Sequence, residues 1–133
     1  MSKMEKKPLT ADPDLILHNP AAQSDEFLSQ CQLDNDYLQS AAFLAKSLSD
    51  GNRLRILLLI SASKKSVSAI VETLDLSQPL VSHHLKELKR SLLVKVERVG
   101  PFIYYELADA RILDVLKTLA EVATDLLSSR RTF

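Results

Sequence analysis

Four side chains in this 133-residue sequence are the first candidates for covalent, acid–base or metal chemistry: His18, Cys31, His83 and His84. An acid–base pair has to converge on one reacting atom. His83 and His84 are adjacent in a segment of helical periodicity, and adjacent helical residues point ~100° apart, so a hydrolase built on them is discounted. A single cysteine excludes an intrachain disulfide framework and a CxxC zinc knuckle. Two glycines are too few for a glycine-rich phosphate loop. No enzyme and no cofactor is therefore expected. What remains is hydrogen bonding and charge, concentrated in SQPLVSHHLKELKR, residues 77–90. Ser77, Gln78, Ser82, His83, Lys86, Lys89 and Arg90 are residue types that bind phosphate oxygens and base edges.

The rest of the chain must position that stretch. With 46% hydrophobic and 26% charged residues the sequence can fill one core, and one domain is expected. The net charge is zero, so no global field draws the chain to nucleic acid and any such case must be local. The charge is in fact uneven: three Lys/Arg against seven Asp/Glu over residues 1–40, ten against five over 41–105, and four against five over 106–133. The middle segment is the basic one. The longest apolar run, Ile56 to Ile60, is far short of the ~20 residues that cross a bilayer, so no membrane partner is expected. The basic opening MSKMEKK leads into Pro8, Pro13 and charges instead of an apolar export segment, so the expected location is cytoplasmic.

Residues 1–23 read as a loose arm and 24–133 as the folded domain. From Ser24 the pattern turns helical, with Asp25 and Glu26 in a first turn and Phe27, Leu28, Cys31 and Leu38 as apolar positions. Leu38, Ala41, Ala42, Ala45 and Leu48 continue a helical spacing until Ser49, Asp50 and Gly51 interrupt it. Asn52 is the expected cap of the next helix, which carries Leu54, Leu57, Leu58 and Ile60. A short basic strand, Lys64 to Val67, precedes a helix opened by Ser68 and closed near Asp75. Ser77 then caps another, with Pro79 in its first turn and Val81, Leu85 and Leu88 as its buried side. Period-two alternation in Val94, Val96, Ile103, Tyr105 and Leu107 around Gly100 and Pro101 predicts a β-hairpin, with Tyr104 and Tyr105 on opposite faces. Ala110 to Leu127 predicts a long amphipathic helix whose stripe asks for a partner helix.

Two short helices across a tight turn, followed by a hairpin, make a winged helix-turn-helix, mostly α with a small β-hairpin wing. On a helical wheel Val81, Leu85 and Leu88 lie on one side of the second helix, and Ser82, His83, Lys86 and Arg90 on the other. Ser82 and His83 suit base edges, and Gln78 an adenine or a phosphate. Lys86, Lys89 and Arg90 suit phosphates, the plain alternative being an ordinary solvated face. His84, at the margin of the apolar side, reads as a packed, hydrogen-bonded structural residue. In the wing, Arg98 beside Gly100 could enter a minor groove with help from Lys95, or could merely protect an edge strand.

LAKSLSDGNRLRILLLIS and LDLSQPLVSHHLKELKRSLLVKVERVGPFIYYEL, with Asp50 and Arg53 to Ile56 forming a D-x-x-R-x-x-I-L turn, resemble the ArsR family of bacterial dimeric transcriptional repressors over about residues 38–127. One departure is Ser91-Leu92, where members commonly have Ala-Gly. The resemblance implies a homodimer formed by the first and last helices, bound to double-stranded DNA over an inverted repeat. It also implies where signals act. Members that bind soft metals use cysteines at positions that fall here on Ser66 and Ser68, which are poor ligands for such ions. Members that bind zinc on the last helix use carboxylates and histidines, and here the positions hold Asp109, Arg111, Val122 and Asp125. Without imidazole that set is weak, and Asp109 reads better as a helix cap. Redox-sensing members use a cysteine pair, whereas this chain has Cys31 alone. Cys31 either bridges two subunits or fills space as a small hydrophobe. The inducer is left open, with a thiol or metal sensor as the alternative to a repressor without either signal.

Overall fold

The computed structural model describes residues 20–33 and 35–130, with side-chain surroundings for residues 23–30 and 35–130. The elements are α1 (Pro20–Leu33), α2 (Asn35–Ser47), α3 (Gly51–Ala62), α4 (Val67–Leu74), α5 (Gln78–Arg90), β1 (Val94–Val99), β2 (Phe102–Leu107) and α6 (Arg111–Arg130). They fall into two compact units that divide between Ala42 and Phe43. In the first, Phe27 of α1 meets Tyr37 of α2 edge to face, with ring centroids 5.8 Å apart. α1 begins at Pro20, four residues before the expected Ser24, because a proline fits a first helical turn where no N–H is needed. Leu38 belongs to α2 alone. His18 and the rest of residues 1–19 lie outside the described residues, as does the side chain of Cys31.

The second unit closes on one core. Ile56, Leu57 and Ile60 of α3, Ile70 of α4, Val81, Leu85 and Leu88 of α5, the pair Leu93 and Val94, and Leu116 of α6 are all buried. At about 1.5–3 kcal/mol for each large apolar side chain removed from water, the three α5 residues alone hold that helix firmly. Caps set where the helices start. Asp50, and not the expected Asn52, caps α3 by accepting from the Arg53 N–H at 3.0 Å. Ser66, and not Ser68, caps α4 through the Ala69 N–H at 3.2 Å. Ser77 caps α5 through the Leu80 N–H at 3.3 Å, with Pro79 in the first turn as expected. Two arginines of α3 satisfy carbonyls at the ends of other helices. Arg53 Nε donates to Ser47 O at 2.7 Å and Arg55 Nη2 to Leu74 O at 3.1 Å.

The hairpin pairs Val94 with Leu107 through Val99 with Phe102, antiparallel, around a two-residue turn whose Gly100 has φ +61°. The short basic strand contracts to a single bridge, in which Lys65 and Tyr105 exchange both backbone hydrogen bonds, at 3.0 and 2.8 Å. Tyr105 packs against the core, so one of the two tyrosines is a core residue as expected.

The join between α5 and β1 is where Ser91-Leu92 departs from Ala-Gly. Leu93 N–H donates to Leu88 O at 3.0 Å and Leu92 N–H to Lys89 O at 3.1 Å, the paired bonds of a Schellman helix end. That motif needs a left-handed residue, usually glycine, and here Leu92 takes it at φ +63°. An L-residue there costs ~1–2 kcal/mol. Leu92 is 78% exposed and gives little packing in return. Leu92→Gly is expected to raise stability by about 0.5–1 kcal/mol, after the added freedom of unfolded glycine is subtracted. Urea unfolding reads this directly, and a lower midpoint for the variant would show that the Leu92 side chain is held by contacts of its own.

Candidate nucleic-acid interface

α5 is amphipathic in the sense its sequence demands. With Val81, Leu85 and Leu88 facing the core, the 3.6-residue repeat turns Pro79, Ser82, His83, Lys86, Lys89 and Arg90 outward, and each of these is exposed. Ser77 and Gln78, at the helix start, are exposed as well. In the wing Lys95, Arg98 and Gly100 are exposed, at the base, near the end and at the turn of the hairpin. These eleven candidate DNA-binding residues are thus exposed, and those on α5 share one face.

The cations are not equivalent. Arg90 is paired with Glu87 one turn back, 3.0 Å apart, and Lys95 with Glu106 across the hairpin, 3.4 Å apart. Lys86, Lys89 and Arg98 make no ion pair among the described residues. Of the five cations named on α5 and the wing, these three have no carboxylate partner among the described residues. Lys64, in the sequence only one residue of a short basic strand, adds a further cation. It reaches the hairpin, with Nζ 2.6 Å from Glu97 Oε2 and 5.5 Å from the centre of the Tyr104 ring. The hydrogen bond it donates to the Glu97 carboxylate raises its pKa. The sequence signal for it was the Lys64-Lys65 doublet, which does not reveal its partner 33 positions away.

His84 is 4% exposed, a packed structural residue as expected, but it makes no hydrogen bond among the described residues. Its Nε2 faces Asp50 Oδ1 at 3.7 Å, beyond hydrogen-bond range, and its Nδ1 has no partner among the described residues. The neutral ring leaves one idle acceptor. The charged ring would put a second N–H where nothing accepts it.

Two of the four zinc positions suggested by resemblance, Asp109 and Arg111, are engaged with each other. Asp109 accepts from the Arg111 N–H at 2.8 Å and caps α6, as preferred from the sequence. Its Oδ2 also accepts from Arg111 Nη2 at 2.8 Å, and these bonds from Arg111 lower its pKa to about 2. Ser66 and Ser68 hydrogen-bond each other at 3.2 Å. Among the described residues no group of three His, Cys, Asp or Glu side chains is arranged to hold a metal, and no helix is long and apolar enough to cross a membrane.

Burial lowers the His84 pKa below its usual 6.5, with Asp50 opposing and Arg53 and His83 adding to the shift. The folded chain therefore binds fewer protons than the unfolded one in this range, so stability rises with pH up to about 6.5 and is lost as pH falls below it. One group gives a slope of at most ~1.4 kcal/mol per pH unit. Urea unfolding between pH 5 and 8 is expected to show that slope for the native chain and to lose it in His84→Gln. An equal slope in both proteins would assign it elsewhere.

A family model described as a bacterial regulatory protein of the arsR family matches residues 50–96, from the cap of α3 into β1. The chain is 33% identical over 85 residues to an uncharacterized HTH-type transcriptional regulator of Methanocaldococcus jannaschii, covering 63% of this chain and 96% of that protein. It is 29% identical over 117 residues to a transcriptional repressor SmtB homolog of Synechocystis, covering 88% of this chain and 85% of that one. Among solved structures it is similar to the homodimeric winged helix-turn-helix DNA-binding domain of a possible ArsR-family regulator from Mycobacterium bovis. That likeness has 28% identity and a TM-score of 0.62, over 68% of this chain and 84% of that chain.

Proposed function

Because this chain belongs to the ArsR family of bacterial regulatory proteins, we propose that it is a homodimeric transcriptional repressor that binds double-stranded DNA through α5 and the wing. The observation that carries the reading is the single exposed face of α5, polar and basic, opposite a seam buried in the core. In it, Ser82 and His83 meet base edges in the major groove, with Gln78 reaching an adenine or a phosphate. Ser77 and Pro79 set the helix start whose free N–H groups favour an anion. Lys86, Lys89 and Arg90 take phosphates. Lys95, Arg98 and Gly100 bring the wing to the neighbouring minor groove.

Dimerisation is supported by α6. Val115, Leu119, Val122 and Leu126 stay 46–65% exposed at spacings of four, three and four, the pattern of a coiled-coil seam without its partner. Phe27 and Leu28 of α1 are similarly uncovered. Two α5 helices then enter successive major grooves ~34 Å apart over an imperfect inverted repeat, where the dimer blocks polymerase. The protein acts in the cytoplasm as a binder and not as an enzyme, and neither a cofactor nor a resident metal enters this reading.

Fluorescence anisotropy on the duplex upstream of its own coding sequence tests this. Binding is expected to weaken steeply with salt. Lys86→Ala and Lys89→Ala, each removing one phosphate contact per subunit, should each reduce the log–log salt slope of the dimer by about two, and Ser82→Ala should relax sequence preference by roughly tenfold. Salt-insensitive binding, or none at low salt, would sink the proposal. Repeating the titration with EDTA, Zn²⁺, As(III) and peroxide, on the native chain and on Cys31→Ser, separates a signal-free repressor from a metal or thiol sensor.

A further inference from the structure

The outer face of the hairpin changes character along its length. At its base Lys95 is paired with Glu106, and one rung further Glu97 is paired with Lys64 beside Tyr104. The last rung, Val99 opposite Phe102, carries no charge. Val99 is 47% exposed and Phe102 59%, and Tyr104, 6.4 Å away between centroids, is the only ring Phe102 meets among the described residues. Gly100 and Pro101 close the turn, both exposed, so the tip is an apolar point. Arg98, on the opposite face one residue from the tip, makes no ion pair among the described residues. A large aromatic held in water at the tip, with a cation one residue back on the other face, fits a partner that is apolar at short range and anionic around it.

A minor groove has that chemistry, with deoxyribose walls and phosphate rims. The reach also fits. Six residues at ~3.3 Å each carry β1 about 17–20 Å from the base it shares with α5, close to half of a ~34 Å duplex turn, which separates a major groove from the next minor groove. Phenylalanine and proline are among the residues that enter minor grooves as wedges, partly unstack a base step and kink the duplex by ~20–90°.

We propose that Val99, Pro101 and Phe102 form an apolar wedge that enters the minor groove flanking the α5 site, unstacks one base step and bends the DNA. The proposal rests on the reading that α5 binds duplex DNA, and it adds a source of specificity that needs no base hydrogen bond. Flexible TA or CA/TG steps at the wedge position bind better than stiff ones, because they unstack at lower cost.

The test uses the full chain and duplexes carrying the upstream sequence, with bend angle read by circular-permutation mobility shift and unstacking by 2-aminopurine placed at each flanking step. The native chain is expected to bend the duplex and brighten 2-aminopurine at one step per half-site. Phe102→Ala should abolish both and weaken binding about tenfold with its melting temperature unchanged, while Phe102→Leu, which keeps an apolar point, retains most of the bend. Lys86→Ala should weaken binding yet leave the bend of each complex intact. A bend, 2-aminopurine signal and affinity unchanged in Phe102→Ala, while Lys86→Ala still weakens binding, would overturn the wedge and leave the DNA reading standing. So would a change of oligomeric mass in Phe102→Ala without loss of the bend, which would give the tip to a second copy of the chain. Failure of the native chain to bind any duplex at low salt would remove the DNA reading and the wedge with it.

Discussion

A helix can offer one face to a duplex only while its opposite face is held, and the seam of Val81, Leu85 and Leu88 in the core is what holds α5. The same core takes Ile56, Leu57 and Ile60 from α3, Ile70 from α4 and Leu93 and Val94 from the hairpin's base, so the scaffold and the presented face are set by one apolar cluster. The polar atoms near that cluster are few. Ser91 is buried but donates to the Glu87 and Leu88 carbonyls, whereas His84 sits in the seam with Nδ1 idle. His84 is therefore the place where the packing of α5 is least well satisfied, and its near neighbour Asp50 is also the cap of α3.

The wing depends on the same helix by a different device. The Schellman end at Ser91 to Leu93 delivers the chain from the last turn of α5 directly into β1, with Leu93 buried beside Leu88. Tyr105 and Lys65 then tie β2 to the segment before α4, and Ala108 N–H closes the hairpin's base onto Leu93 O at 3.0 Å. α5 and the hairpin are thus two ends of one continuous, hydrogen-bonded path.

Much of this was legible in the sequence because the apolar spacing of α5 and the alternation of the hairpin are strong, local patterns. The positions Val81, Leu85 and Leu88 and the register around Gly100-Pro101 followed from them. Caps were harder. Asp50, Gly51 and Asn52 offer two capping side chains within three residues, as Ser66 and Ser68 do. Which one meets a free N–H depends on the backbone angle at that residue, and composition does not report it. Contacts over long sequence separations were beyond reach, which is why Lys64 against Glu97 and Asp50 near His84 came only with the fold. The Ser91-Leu92 departure was visible, but its meaning, a leucine in a conformation usual for glycine, needed the dihedral angle.

Glu87 and Glu106 give the basic surface a further property. By pairing with Arg90 and Lys95 they act as counterions built into the fold, so the charge that α5 and the wing present to solvent is smaller than their count of cations. A phosphate approaching either cation must first compete with a carboxylate already in place, whereas at Lys86, Lys89 and Arg98 it displaces only mobile salt. On the proposed function, loose encounters with arbitrary sequence gain from three cations and a fully seated complex from five. The surface is graded between searching and holding, which lets a protein of zero net charge leave the wrong site quickly.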